Sequence, residues 1–96
     1  MFAVVGRVRI KPGNEDVARQ MISERGVGMF RGMPGADTAY WSRALDGSEV
    51  IQHSFWLFDT EENARGAEAT FNTLRDTPDA PAEWISCDLC EVIGKA

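Results

Sequence analysis

The feature that most constrains this chain is the order in which its hydrophobic period changes. Phe2, Val4, Val8 and Ile10 alternate with Ala3, Val5, Arg7 and Arg9, a period of two that belongs to a strand. "KPGN" then turns the chain. Over 14–25 the apolar residues Val17, Ala18, Met21 and Ile22 recur at helical spacing, opposed by Glu15, Asp16, Arg19 and Gln20. The spacing predicts a helix over 14–25 with a looser continuation towards Phe30. Gly26, Gly28 and Gly32 each weaken a helix by about 1 kcal/mol relative to Ala, and Pro34 stops it. Period two returns over 36–44 and 49–58. A second amphipathic helix follows over 59–76, with the stripe Ala64, Ala67, Phe71 and Leu74, and a last strand over 84–93. Asp59 and Glu62 have the spacing of a capping box, with Thr60 as the alternative cap. The order β-α-β-β-α-β closes into a ferredoxin-like α+β domain spanning 1–96. Its four-stranded antiparallel sheet carries two helices on one face.

Between the two central strands lies "LDGS", and Asp-Gly between β-like runs signals a hairpin. A two-residue turn at Asp46-Gly47 predicts that Ala44 pairs with Glu49, Ser42 with Ile51 and Tyr40 with His53. On the other face it sets Arg43 against Val50, Trp41 against Gln52 and Asp37 against Trp56. In the last strand strict alternation puts Ile85, Cys87, Leu89 and Ile93 on one face and Trp84, Ser86, Asp88, Cys90 and Val92 on the other. Both hairpin faces carry aromatic bulk, so whichever side the helices cover, the other presents an apolar patch. The expected cover is a second copy, sheet against sheet. The alternative is that loop 77–83 folds over part of that face.

A chain of 96 residues with net charge −5 and scattered Lys and Arg lacks the basic stripe that nucleic acid or an anionic membrane surface demands. No apolar run reaches the ~18 residues of a membrane span. "MFAVVGRVRIK" has no basic leader, so it does not read as a signal peptide, and the expectation is a cytoplasmic protein. Cys87 and Cys90 form one C-x-x-C. With no second pair and a single His, a zinc site is not expected. Strand-like flanks on both sides argue against a redox helix start, which leaves core or interface thiols.

"KPG" before the first helix, "MPG" leading into the second strand, "AYW" and "DG" across the hairpin, and "FDTEENAR" opening the second helix follow one another in order. Together they resemble the antibiotic biosynthesis monooxygenase-like family over nearly the whole chain. That resemblance implies a dimeric α+β barrel and cofactor-independent oxygenation of a small aromatic or quinone-like compound. The alternative is a non-catalytic dimeric barrel that binds a small hydrophobic ligand or serves only as a structural or stress-related protein. The family's frequent Trp before the acidic cap is Phe58 here, and its frequent Phe after Pro-Gly is Ala36. By the same resemblance Trp41, Gln52, Ser54, Trp56 and Phe58 line the ligand cavity. Family members that degrade haem share a His near the end of the second helix and an Asn on the first strand. Residues 68–76 hold no His, and residues 2–10 hold no Asn.

Such oxygenation needs a dry pocket and a group that takes a phenolic proton. His53, the only His, has the right ordinary pKa, and Tyr40 could orient it. The plain alternative is a His53–Tyr40 pair in the dimer interface. If Trp41, Gln52, Ser54 and Trp56 face the helices, His53 faces the dimer. The alternative for the aromatic residues is core packing.

Overall fold

The computed structural model describes residues 1–75 and 80–96. Strands β1 (Phe2–Ile10), β2 (Ala36–Arg43), β3 (Val50–Phe58) and β4 (Ala82–Glu91) form one antiparallel sheet in the order β2-β3-β1-β4. Between β1 and β2 runs a helical arm: α1 (Glu15–Met21), a π-helical segment (Ile22–Gly26) and α2 (Val27–Arg31). Helix α3 (Glu61–Arg75) joins β3 to β4. The glycines of the arm do not end it. Helical geometry persists to Arg31, and the chain leaves the helix at Gly32, two residues before Pro34.

Alternation along β1 sorts the residues as expected. Val4 and Ile10 are buried under the helices, while Arg7 on the opposite face is exposed. The core cluster joins Val4, Trp56 and Phe58 from the sheet to Phe30 of α2 and to Ala64, Ala67 and Phe71 of α3. Trp56 is its hub. Its ring centroid lies 5.1 Å from Phe30, 5.5 Å from Trp41 and 4.3 Å from Phe71. Edge-on and tilted contacts of this kind add roughly 0.5–1.5 kcal/mol each beyond area burial. The small stripe Ala64 and Ala67 lets α3 lie close to the strands. Thr60 is the cap: its Oγ1 accepts from Asn63 N at 3.2 Å. Asp59, expected to pair with Glu62, instead accepts from Asn63 Nδ2 at 2.8 Å.

Three details of register depart from the expected pairing. The β2–β3 turn is longer than two residues. Ala44 N donates to Ile51 O at 2.9 Å, and Arg43 pairs with Gln52, Ser42 with His53, Trp41 with Ser54 and Tyr40 with Phe55. Glu49 is drawn instead to Arg9, 3.0 Å away. The slip is two residues, so every side chain keeps its expected face. At the start of β2 the register shifts between Ala36, opposite Phe58, and Thr38, opposite Leu57. This bulge sets Ala36 against the core and takes Asp37 out of the ladder, away from its expected place opposite Trp56. The Asp37 carboxylate, costly to bury, instead accepts from Thr38 Oγ1 at 3.0 Å.

The third irregularity is in β4. Arg7 faces Ser86 but Val8 faces Trp84, so Ile85 is the extra residue. Trp84 therefore joins Cys87 and Leu89 against the core instead of sharing a face with Ser86 and Asp88. Of the connector 77–83, residues 77–79 lie outside the described part of the chain. Pro81 accepts from Lys11 N at 2.9 Å, at the end of the helix-covered side.

Candidate functional site

The helical arm does not close fully onto the sheet, and the gap is a cleft with two lobes that share Ile22 and Gln52. The first lobe holds about 350 Å³. Val8, Ile10 and Trp84 form its floor on the sheet, with Met21, Met29 and Leu74 on the helices. Its wall is almost wholly apolar, and Arg25 brings the one charge. The second lobe, about 400 Å³, lies towards the end of β2 and is lined by Arg19, Ile22, Ser23, Trp41, Arg43 and Gln52, among others. Both volumes fall in the usual range for small-molecule sites, roughly 300–1,000 Å³.

Local structure explains the gap. In the π-helical segment the hydrogen bonds widen to five-residue spacing, and such turns recur at functional sites. Ile22, Ser23, Arg25 and Gly26, all from this segment, line the cleft. On the sheet side Gly6 makes room. A Cβ there would sit 2.7 Å from Ser54 Oγ and 3.2 Å from the Trp84 ring, so the indole lies across a position with no side chain. The Ile85 bulge aims that indole at the cleft, and Phe71 supports it at 5.5 Å between centroids.

Arg43 is fixed from two sides. Its Nη2 donates to the backbone oxygen of Glu15 at 3.2 Å and to Gln52 Oε1 at 3.4 Å. The strand end is thereby tied to the first turn of the helical arm.

Among the residues expected from sequence, Trp41 and Gln52 line the cleft. Ser54 shares their face but sits beneath, beside Gly6 and Trp84. Trp56 and Phe58 are 1% and 0% exposed and form the packed floor of the core. The Trp56 indole N–H is buried and meets no acceptor among the described residues. Phe58, where the family frequently has Trp, packs against Phe30 at 5.7 Å.

His53 and Tyr40 lie on the other face of the sheet. They are diagonal neighbours: Ser42 stands opposite His53, and Phe55 opposite Tyr40. Tyr40 is 66% exposed and Phe55 38%. With Val5, Ile51 and Leu57 they form the uncovered face. The two cysteines also divide between the faces. Cys87 packs on the core, and Cys90 stands opposite Ala3 on the uncovered side. Burial, reinforced by the charge of Glu68, pushes the Cys87 thiol above its ordinary value of 9.0. Sequence reasoning missed Trp84, hidden by the bulge, Arg19 in the last turn of α1, and Arg25, which sits in the π-helical segment.

No protein-family model and no curated protein sequence matches the chain. Solved structures do. A point mutant of MhuD with two manganese protoporphyrin IX molecules bound per active site superposes with a TM-score of 0.70 at 12% identity, covering 100% of this chain and 98% of that one. An ethyl tert-butyl ether degradation family protein from Bacillus halodurans gives 0.62 at 10% identity, over 97% and 100% of the two chains. The monooxygenase ActVA-Orf6 of Streptomyces coelicolor, in complex with nanaomycin D, gives 0.61 at 18% identity, over 99% and 89%. At such identities the likeness speaks to architecture, and it runs end to end. The chain has the ferredoxin-like α+β fold of these structures.

Proposed function

We propose that the cleft binds a flat aromatic or quinone-like compound and that the protein oxygenates it without a cofactor. The observation that carries this reading is the apolar lobe. It is a slot of about 350 Å³ floored by Trp84 and edged by one guanidinium, Arg25. The fold adds support, since two of the similar structures hold flat ring systems: a porphyrin in one and nanaomycin D in the other. A cation beside a phenolic oxygen favours its anionic form. Arg25 would hold the substrate as the phenolate, which gives up electrons to dioxygen. One oxygen atom enters the ring, the other leaves as water, and the phenol loses two hydrogens to become a quinone.

A second copy would cover the face carrying Tyr40, Phe55, Ile51 and Leu57, with His53 and Tyr40 inside that interface. Oxygen uptake with a panel of hydroxynaphthalenes and hydroquinones tests the reaction. Wild type should consume oxygen, Arg25→Gln should slow it at least about tenfold, and His53→Ala should keep turnover while weakening self-association in sedimentation. Loss of turnover in His53→Ala with the dimer intact would restore His53 as the base.

A second reading, a non-catalytic binder, is favoured by one observation: no His, Tyr, Asp or Glu lines either lobe among the described residues. Tight binding of the same panel with no oxygen uptake would establish it.

A further inference from the structure

We infer that the occupant of the cleft carries a carboxylate, which Arg19 and Arg43 hold in the second lobe while its rings lie in the first. This rests on the reading of the cleft as a small-molecule site. It adds the chemical class of the molecule and two residues that select it.

The charge balance of the lobe carries the inference. The chain has 15 acidic and 10 basic residues, and among the described residues two arginines are paired with carboxylates. Arg9 pairs with Glu49 and Glu83, and Arg65 with Glu61. Arg19 and Arg43 do not pair with any carboxylate among the described residues, yet they share one lobe of about 400 Å³ whose lining contains no acid. Arg43 is half-buried, and its two partners, a backbone oxygen and the Gln52 amide oxygen, are neutral. They orient the guanidinium without cancelling its charge. Its Nη1 and Nε hydrogens, which meet no acceptor among the described residues, can each donate to a carboxylate oxygen. Arg19, on the helical arm, brings a complete guanidinium fork to the same space.

The neighbouring groups set the rest of the molecule. Trp41 and Ile22 give the lobe an apolar side, and Gln52 lines both lobes, so one ligand can run from one to the other. The match is a fused-ring or diaryl carboxylate. A simple sugar acid or a free inorganic anion would leave the apolar lobe unfilled. A phosphate on the same ring would meet the same two guanidinium groups, and the test separates the two.

The experiment titrates the full chain with naphthoate, naphthamide and naphthyl phosphate, following quenching of tryptophan emission and checking by calorimetry. Naphthoate should bind about tenfold tighter than the neutral amide. Arg19→Gln and Arg43→Gln should each remove most of that preference and leave the amide's affinity within about twofold. Arg31→Gln, which changes net charge equally but lies outside both lobes, should leave the preference intact. Arg43 also ties β2 to the helical arm, so Arg19→Gln, on an exposed position, keeps the test alive if Arg43→Gln unfolds. Equal affinity for acid and amide overturns the carboxylate while the cleft stands as a binding site. Tighter binding of the phosphate overturns the carboxylate in favour of a phosphoryl group. Binding of none of the three overturns the reading of the cleft, and this inference with it.

Discussion

Gly35→Ala tests how the fold joins its two halves. Gly35 follows Pro34 at the entry to β2 and has φ +72°, a left-handed conformation that costs an L side chain roughly 1–2 kcal/mol. Its carbonyl accepts from Asp59 N at 3.1 Å, so this turn sits directly against the start of α3. A Cβ here would overlap the Asp59 carboxylate and reach the Asn63 amide. Relief requires moving Asp59 and giving up its 2.8 Å bond from Asn63, about 1 kcal/mol more. The sum is roughly 2–3 kcal/mol. For a chain of this size that lowers Tm by about 10–20 °C, at 4–8 °C per kcal/mol. Urea unfolding followed by circular dichroism gives the value. The two terms separate in an Asp59→Ala background, where only the backbone term remains and the cost of Gly35→Ala should fall by about 1 kcal/mol. An unchanged urea midpoint for Gly35→Ala, or the same cost in both backgrounds, would refute the reasoning.

Other consequences are simpler to state. Gly6→Ala should push Trp84 and Ser54 apart and weaken ligand binding in the cleft more than it lowers stability. Overpacking costs about 1–3 kcal/mol, but Ala regains roughly 0.5–1 kcal/mol in a strand, and fluorescence titration beside urea unfolding reads both. Trp56→Ala should cost about 3–5 kcal/mol. Trp56→Phe should cost much less, because it also removes a buried N–H that meets no acceptor among the described residues; equal midpoint shifts for the two would contradict this. The raised Cys87 thiol stabilises the fold while it is protonated. That contribution is complete below the ordinary value of 9.0 and is lost as pH climbs through the higher folded value. Stability should therefore fall more gently above pH 9.0 in Cys87→Ala than in wild type, and iodoacetamide at pH about 8 should label Cys87 more slowly in the folded chain than in urea.

The switch of period from two to 3.6 and back gave the element order, because alternation and helical stripes are written directly into residues such as Val4, Ile10, Ala64 and Phe71. The motifs "MPG" and "FDTEENAR" lie far apart in sequence but meet at Gly35 and Asp59. Trp41 and Gln52, which the family resemblance put on the cavity side, share one sheet face because a slip of two leaves a side chain on its own face. Trp84 was not legible as a cleft residue, since one extra residue at Ile85 reverses every face before it and leaves no mark in the pattern of residue types. The expected Asp59–Glu62 box failed for a related reason. Asp59 is already engaged by Gly35 and Asn63, contacts that no local spacing contains. The arm's glycines suggested a helix that frays, whereas packing of Phe30 beneath Trp56 and Phe58 holds it in place.

The π-helical segment has a consequence for length variation along the arm. Removing one residue from an ordinary helix turns everything beyond it by about 100°, which would swing Phe30 out of its place under Trp56. Within Ile22–Gly26 the winding already contains a surplus residue. A single deletion there can be absorbed as regular α-helix, with Ala18 and Phe30 both still facing inward. What such a shortened chain would lose is the part of the cleft lining that Ile22–Gly26 supplies, so one codon separates a chain with room for a guest from one without.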